Sequence, residues 1–242
     1  MALIEGFIPG SEFALEGVMN HGTLHVLAIF DKPDPLDGPF FEETIYVTPT
    51  AAPRETARAI VDTVAEAACA LGLRHGPIHA ECRVNLAAGP GPTHVFVLEV
   101  AARPIGGLCA RALRFASSND PARPLISLEE LLLRHALGES SRAWEREAAA
   151  SGVMMIPIPR RGVFRRVAGL DEARRVPGVD DVRITAKADQ LLVPLPEGAS
   201  YLGFIFAHAS GTEAVTAALR AAHARLAFTI DLEVPVLQSH DG

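Results

Sequence analysis

Val95-Phe96-Val97-Leu98-Glu99-Val100-Ala101-Ala102-Arg103-Pro104-Ile105-Gly106-Gly107 is the stretch on which the reading of this chain turns. It opens as a nearly continuous apolar run broken by one carboxylate, the pattern of a strand buried on both faces. A bare charge there is costly, so Glu99 must be paired, protonated or bound to a metal. Arg103 stands four positions on. Ala101 and Ala102 leave room for close backbone approach, Pro104 fixes the chain, and Gly106 and Gly107 permit a tight helix entry. A helix N-terminus beside a guanidinium makes an anion site.

Upstream, Ile78-His79-Ala80-Glu81-Cys82-Arg83-Val84 reads as a partner strand. Side chains alternate along a strand, so His79, Glu81 and Arg83 share one face. That face is either solvated or part of a site. Glu81 and Glu99 on neighbouring strands would bridge a hard cation; magnesium takes a couple of carboxylates and completes its shell with water and phosphate oxygens. The plainer alternative is a buried Glu99–Arg103 ion pair with only a structural role.

Around this pair the pattern is α+β. Residues 13–18 and 24–30 read as strands joined by Met19-Asn20-His21-Gly22, a hairpin turn. A Pro-rich loop containing Lys32 follows, in which that lysine reads as solvated or salt-bridged. Residues 53–71 carry apolar positions at helical spacing, with Gly72 placed to end the helix. Helix is also expected over 106–115 and from Ser127, where Ser127 and Glu130 fit a capping box. Residues 143–151 read as a polar connector of helical propensity. Beyond it come short strands and two helices, 170–175 and 212–226. The expected organisation is therefore an antiparallel sheet with packed helices over 1–150 and a small α+β subdomain over 151–242.

With 49% hydrophobic and 21% charged residues, the 242-residue chain is globular rather than disordered. A net charge of −7 leaves no footprint for nucleic acid. Cys69, Cys82 and Cys109 show no metal-ligand spacing, and their odd number suits reduced thiols and a cytoplasmic setting. No run reaches the ~18 apolar residues of a membrane span. Met1 leads straight into an apolar segment, as if the chain began partway into a larger architecture.

Residues 98–107 resemble the second metal-ligand strand of ATP-grasp ligases, in the branch of L-amino-acid ligases and biotin-carboxylase-like proteins. His79-Ala80-Glu81 resembles the strand of the first metal ligand. Residues 5–17, Glu5-Gly6-Phe7-Ile8-Pro9-Gly10-Ser11-Glu12 onward, are similar to the family's hinge and following strand. Phe41-Glu42-Glu43-Thr44, Val47-Thr48-Pro49 and the stretches 154–157 and 201–207 match further segments of this branch.

The resemblance implies ATP and Mg2+ as cofactors, with Glu81 and Glu99 as metal ligands. Arg103 would steady an acyl-phosphate or the transferred phosphoryl group. Glu5 would lie at the adenine edge, Glu12 would contact the nucleotide, and Gly106 and Gly107 would shape the anion turn. The implied chemistry is activation of a carboxylate by ATP followed by attack of an amine, both small-molecule substrates. Two departures count against full activity. Ala101 replaces an asparagine common in the family, and the N-terminal domain and lysine-bearing lid have no counterpart. The chain would then be a ligase fragment served by a complementary N-terminal chain, self-associating through exposed apolar surface. The alternatives are a non-catalytic ATP-grasp-like binding module and an inactive truncation.

Overall fold

Asn20 and Thr23 pair across His21 and Gly22, both at positive φ (49° and 86°), so a two-residue turn folds the chain back on itself. This hairpin of β1 (Ser11–Asn20) and β2 (Thr23–Asp31) nucleates the main sheet. The structure, a computed structural model, describes residues 6–34, 44–85, 94–120, 122–195, 197–198 and 200–232. Glu5, Glu42 and Glu43 lie outside the described residues.

β3 (Ile45–Thr48) follows, then α1 (Arg54–Ala70), which buries Thr56, Ile60, Val64 and Ala68 at intervals of four. Gly72, at φ 74°, ends it. Its N–H donates to Cys69 O and that of Leu73 to Ala68 O, both at 2.9 Å, which is the Schellman arrangement. β4 (Gly76–Val84) and β5 (Val95–Ala101) complete this half of the sheet.

The helix expected over 106–115 is replaced by a single 3₁₀ turn, Cys109–Ala112, followed by β6 (Arg114–Ser117). Leu108 at φ 55° and Gly107 at φ 59° break any helical entry. From Arg114 onward burial alternates: Phe115 and Ser117 face inward while Arg114 faces out. β7 (Ile126–Ser127) leads into α2 (Leu128–Ala136), capped by Ser127 Oγ, which accepts from Glu130 N at 3.3 Å. The connector expected at 143–151 is also corrected. It forms β8 (Trp144–Arg146), paired to β6, and the start of β9 (Ala150–Ile156). Burial of Trp144 pins β8, because its large apolar ring gains more in the core than its neighbours gain from helical hydrogen bonding.

The remaining elements are β10 (Gly162–Ala168), α3 (Leu170–Arg174), β11 (Val179–Ile184), β12 (Leu191–Leu192), β13 (Gly203–Ala209), α4 (Thr212–His223) and β14 (Ala227–Asp231). The described strands form one eight-stranded antiparallel sheet, ordered β11-β13-β9-β3-β2-β1-β4-β5, and two small sheets, β12-β10-β14 and β7-β6-β8. Residues 150 and 151 lie within β9, whose ladder partners are β3 on one side and β13 on the other, so the large sheet runs through this point.

Three apolar clusters pack against the sheet. One sits beneath α1 around Leu15, Ile60, Val64 and Ile78. A second gathers Phe30, Phe115, Leu131 and Trp144. The third sits beneath α4 around Ile156, Ile205, Val215 and Leu219, and it includes Ile45 and Val47 from β3. This alternation leaves Glu12 and Glu16 of β1 pointing away from the α1 cluster, where they meet the polar face of β4.

Candidate functional site

Cross-strand register builds the site. Glu12 pairs with Arg83, Ala14 with Glu81, and Glu16 with His79, so three acids and two bases share one sheet face. Solvation does not explain that face: His79 and Arg83 are buried, and Glu16 is completely so. Buried charges must be paired, and here they are. Arg83 Nε donates to Glu12 Oε2 at 2.9 Å, and Lys32 Nζ donates to Glu12 Oε1 at 2.6 Å and to Glu81 Oε1 at 3.0 Å. The Tyr46 hydroxyl donates to the same Glu81 oxygen at 3.2 Å, and Lys32 lies 4.8 Å from the Tyr46 ring centroid. Arg83 Nη1 also holds Ile8 O at 2.8 Å, anchoring the chain that leads into β1.

His79 links two acids. Its Nε2 lies 3.5 Å from Glu81 Oε1 and its Nδ1 lies 3.6 Å from Glu16 Oε2. Burial alone would lower its pKa, but Glu16 and Glu81 outweigh it and lift the imidazole to about 9. Burial would likewise raise Glu81; His79 and Lys32 prevail and hold it at about 2. Glu16 is pushed up by burial, opposed by His79, by the Ile105 N–H and by the Arg103 charge. Cys82, also buried, has its thiol pushed up to about 12, chiefly by burial, which makes it unreactive.

Glu81 and Glu99 stand directly opposite each other in the β4–β5 ladder. Cys82 pairs with Val97, so Leu98 is an extra residue and the strand bulges beside the acidic pair. The expected burial of Glu99 is overturned. β5 is the edge strand of the large sheet, Phe96 and Leu98 are exposed, and the Glu99 side chain is 54% accessible. An apolar run placed at an edge has solvent on one side, so Glu99 needs no partner to offset burial. Its ion pair with Arg103, at 3.6 Å, is equally exposed and contributes under about 1 kcal/mol.

Arg103 enters a cavity of about 150 Å³ whose wall includes Glu81, His79, Tyr46, Gly106 and Gly107, with Met155 and Tyr201 from the second half of the chain. A Cβ on Gly107 would lie 2.7 Å from Met155 Sδ, so this turn requires glycine both for its φ and for its packing. Gly106 faces open space near Arg103. The helix-terminus anion site expected here is corrected too. A four-residue 3₁₀ turn supplies no helix dipole of consequence, and the positive charge comes from Arg103 and Lys32. Glu12 keeps both oxygens on Lys32 and Arg83, and beside Lys32 it lines a neighbouring groove of about 810 Å³.

Tyr46 and Glu16 were not singled out from the sequence, and Lys32, read there as a solvated or salt-bridged loop residue, is salt-bridged and buried. A signal did exist for Glu16, which shares strand parity with Glu12. For Tyr46 there was none, and for Lys32 nothing named its partners, because the meeting of both with Glu81 depends on tertiary pairing.

The donor set fits magnesium. Two opposed carboxylates beside two cations suit a hard ion that keeps water and phosphate ligands. Among the described residues no group of three or more His, Cys, Asp or Glu side chains could close a metal cage, as a structural zinc site would need. No helix among these residues is long and apolar enough to cross a membrane.

Comparison with known proteins places the fold in a family. Residues 1–112 match an ATP-grasp domain profile, and residues 154–231 match the L-amino acid ligase C-terminal domain 2 profile. An L-amino acid ligase from Bacillus licheniformis superposes with a TM-score of 0.76 at 31% identity, over 93% of this chain and 53% of that one. Phosphoribosylglycinamide synthetase from Anaerococcus prevotii shares the fold at 11% identity (TM-score 0.70; 93% of this chain, 55% of that one). So does biotin carboxylase from Campylobacter jejuni at 15% identity (TM-score 0.63; 94% and 48%). No curated protein sequence gives a significant match. The chain spans about half the length of these solved structures. With an ATP-grasp profile over its first half, an L-amino acid ligase profile over its last third and one shared architecture, the chain belongs to the ATP-grasp superfamily.

Proposed function

We propose that this chain carries the magnesium–phosphate floor of an ATP-dependent carboxylate–amine ligase site. The observation that supports it most directly is the facing register of Glu81 and Glu99, with Arg103 and Lys32 beside them. Glu81 and Glu99 would hold magnesium, which would supply charge neutralisation to the phosphate oxygens. Lys32 and Arg103 would add positive charge on either flank, where the phosphoryl group passes to the substrate carboxylate and ADP leaves. Such transfer rests on positioning and charge neutralisation. Arg103 would then hold the acyl-phosphate while the amine attacks its carbonyl carbon and phosphate departs. Met155, Tyr46 and Tyr201 would exclude water from the small cavity. Glu12 would act by fixing Lys32 alongside the nucleotide, and Glu5 would serve the adenine edge. A cytoplasmic setting, self-association and service by a complementary N-terminal chain belong to the same proposal.

Calorimetric titration with Mg-ATP tests it, repeated with an N-terminal ATP-grasp chain supplied. Glu99→Gln is expected to weaken Mg-ATP binding by roughly tenfold or more without lowering thermal stability, because Glu99 is exposed. Unchanged affinity in that variant would instead support a non-catalytic binding module, and no binding under either condition would refute the nucleotide reading.

A further inference from the structure

Glu16 is the one acid of the site face with no accessible surface. Its Oε2 accepts from the backbone N–H of Ile105 at 3.0 Å, and its Oε1 has no hydrogen-bond partner among the described residues. Ile105 lies two residues beyond Arg103 and immediately before the Gly106–Gly107 turn, and it is itself buried. Residues 102–106 form no regular element, so no helix or sheet ladder holds them. The local restraints on Arg103 are weak. Its guanidinium donates to Pro104 O at 3.0 Å and meets Glu99 at 3.6 Å, both exposed. The turn is held by the burial of Ile105 in the core, by the 3.0 Å bond from Cys109 N–H to Gly106 O, by the packing of Gly107 against Met155, and by the Glu16–Ile105 bond, which ties its backbone to β1.

The placement of Glu16 is itself specified. It faces His79 across β1–β4, at a point where the β1–β2 register shifts between Glu16 and Gly17. An ordinary core position here would carry an apolar side chain, as Ala14 and Val18 do on the same face. A fully buried carboxylate is costly unless it is paired, and here it is held between His79 and the backbone N–H of Ile105.

We propose that Glu16 is a positioning residue: its carboxylate pegs the Arg103–Gly107 turn to the sheet and so aims Arg103 at the Glu81–Glu99 pair. The role of Arg103 in phosphate chemistry rests on the ligase reading above; the peg itself does not.

Residue-resolved amide hydrogen exchange on the full chain separates the two. In the unmutated protein the Ile105 amide is expected to be protected to the degree of neighbouring β1 amides, and an unprotected Ile105 overturns the proposal without any variant. Glu16→Gln keeps an oxygen acceptor and is expected to retain that protection. Glu16→Leu removes it and is expected to lose on the order of tenfold or more at Ile105, as for one charge-assisted hydrogen bond, while β1 and β4 amides stay protected. Equal protection in the leucine variant, or equal loss in the glutamine variant, refutes the peg. Should Glu16→Leu fail to fold, the glutamine variant and the unmutated protein still decide. In a ligase assay with the N-terminal part supplied, the leucine variant should lower kcat with little change in KM for ATP, and glutamine should restore it. A change confined to KM refutes the aiming of Arg103. If no turnover occurs with any form, the ligase reading fails while the exchange result stands.

Discussion

Replacing Lys32 by methionine removes an ammonium but keeps most of its stem, and it tests whether this lysine belongs to the interior of the site. The Lys32 side chain is 3% exposed, and its two partners are 7% and 19% exposed. At an effective dielectric of about 20, contacts at 2.6 and 3.0 Å are each worth about 5–6 kcal/mol. Desolvation of the ammonium offsets much of that. Breaking a buried pair costs about 3–5 kcal/mol, because a charge is left stranded. Here neither acid is wholly abandoned. Glu12 retains Arg83 at 2.9 Å, and Glu81 retains Tyr46 at 3.2 Å and His79 at 3.5 Å. The expected loss is therefore at the lower end, about 3 kcal/mol, or about 6–12 °C in Tm for a chain of this size. Urea unfolding at pH 7, followed by fluorescence of the single tryptophan, Trp144, measures it. The control is Arg58→Met, whose i,i+4 pair with Asp62 is exposed and worth at most about 0.5 kcal/mol. If Lys32→Met costs no more than the control, the ladder of charges on this face is not a buried structural unit.

The His79 shift sets a pH dependence. Its folded pKa of about 9 lies above the unfolded value of 6.5, so its stabilisation is fully present below about pH 6.5 and is lost as pH rises towards 9. In EDTA, unfolding free energy should fall across that window by on the order of 2 kcal/mol, and His79→Gln should flatten the profile. Glu81, held at about 2, acts in the opposite sense: its contribution is present above about pH 4.5 and fades as pH drops towards 2, which acid titration of the folded state would show. Ser127→Ala should cost about 1 kcal/mol through loss of the α2 cap, read by urea melts. Gly107→Ala must move Met155 and strain a left-handed residue, so about 1–3 kcal/mol of stability and some cavity volume should be lost, measurable by thermal melting.

Much of the architecture was legible in the sequence where the physics is local. The Asn20–Thr23 turn, the four-residue burial rhythm of α1, its Gly72 stop and the Ser127 cap depend on neighbours within a few positions. The same holds for the polar face of β4, because strand alternation alone sets His79, Glu81 and Arg83 on one side. Local signals failed at 106–115 and 143–151, where Phe115 and Trp144 find a core that is remote in sequence.

The acidic pair shows the division most sharply. From the sequence alone came two carboxylates on adjacent strands, an arginine four residues on and a glycine turn. Their register, Glu81 against Glu99, came only from the folded sheet and its bulge at Leu98. The sheet also reversed the assumed environment of Glu99, because an apolar run reads the same at an edge as in the interior and only strand order decides which side meets water. Lys32 shows the converse. Nothing beside it in the chain reveals its burial, since Glu12 and Glu81 are 20 and 49 residues away and meet it only when β1, β2 and β4 align.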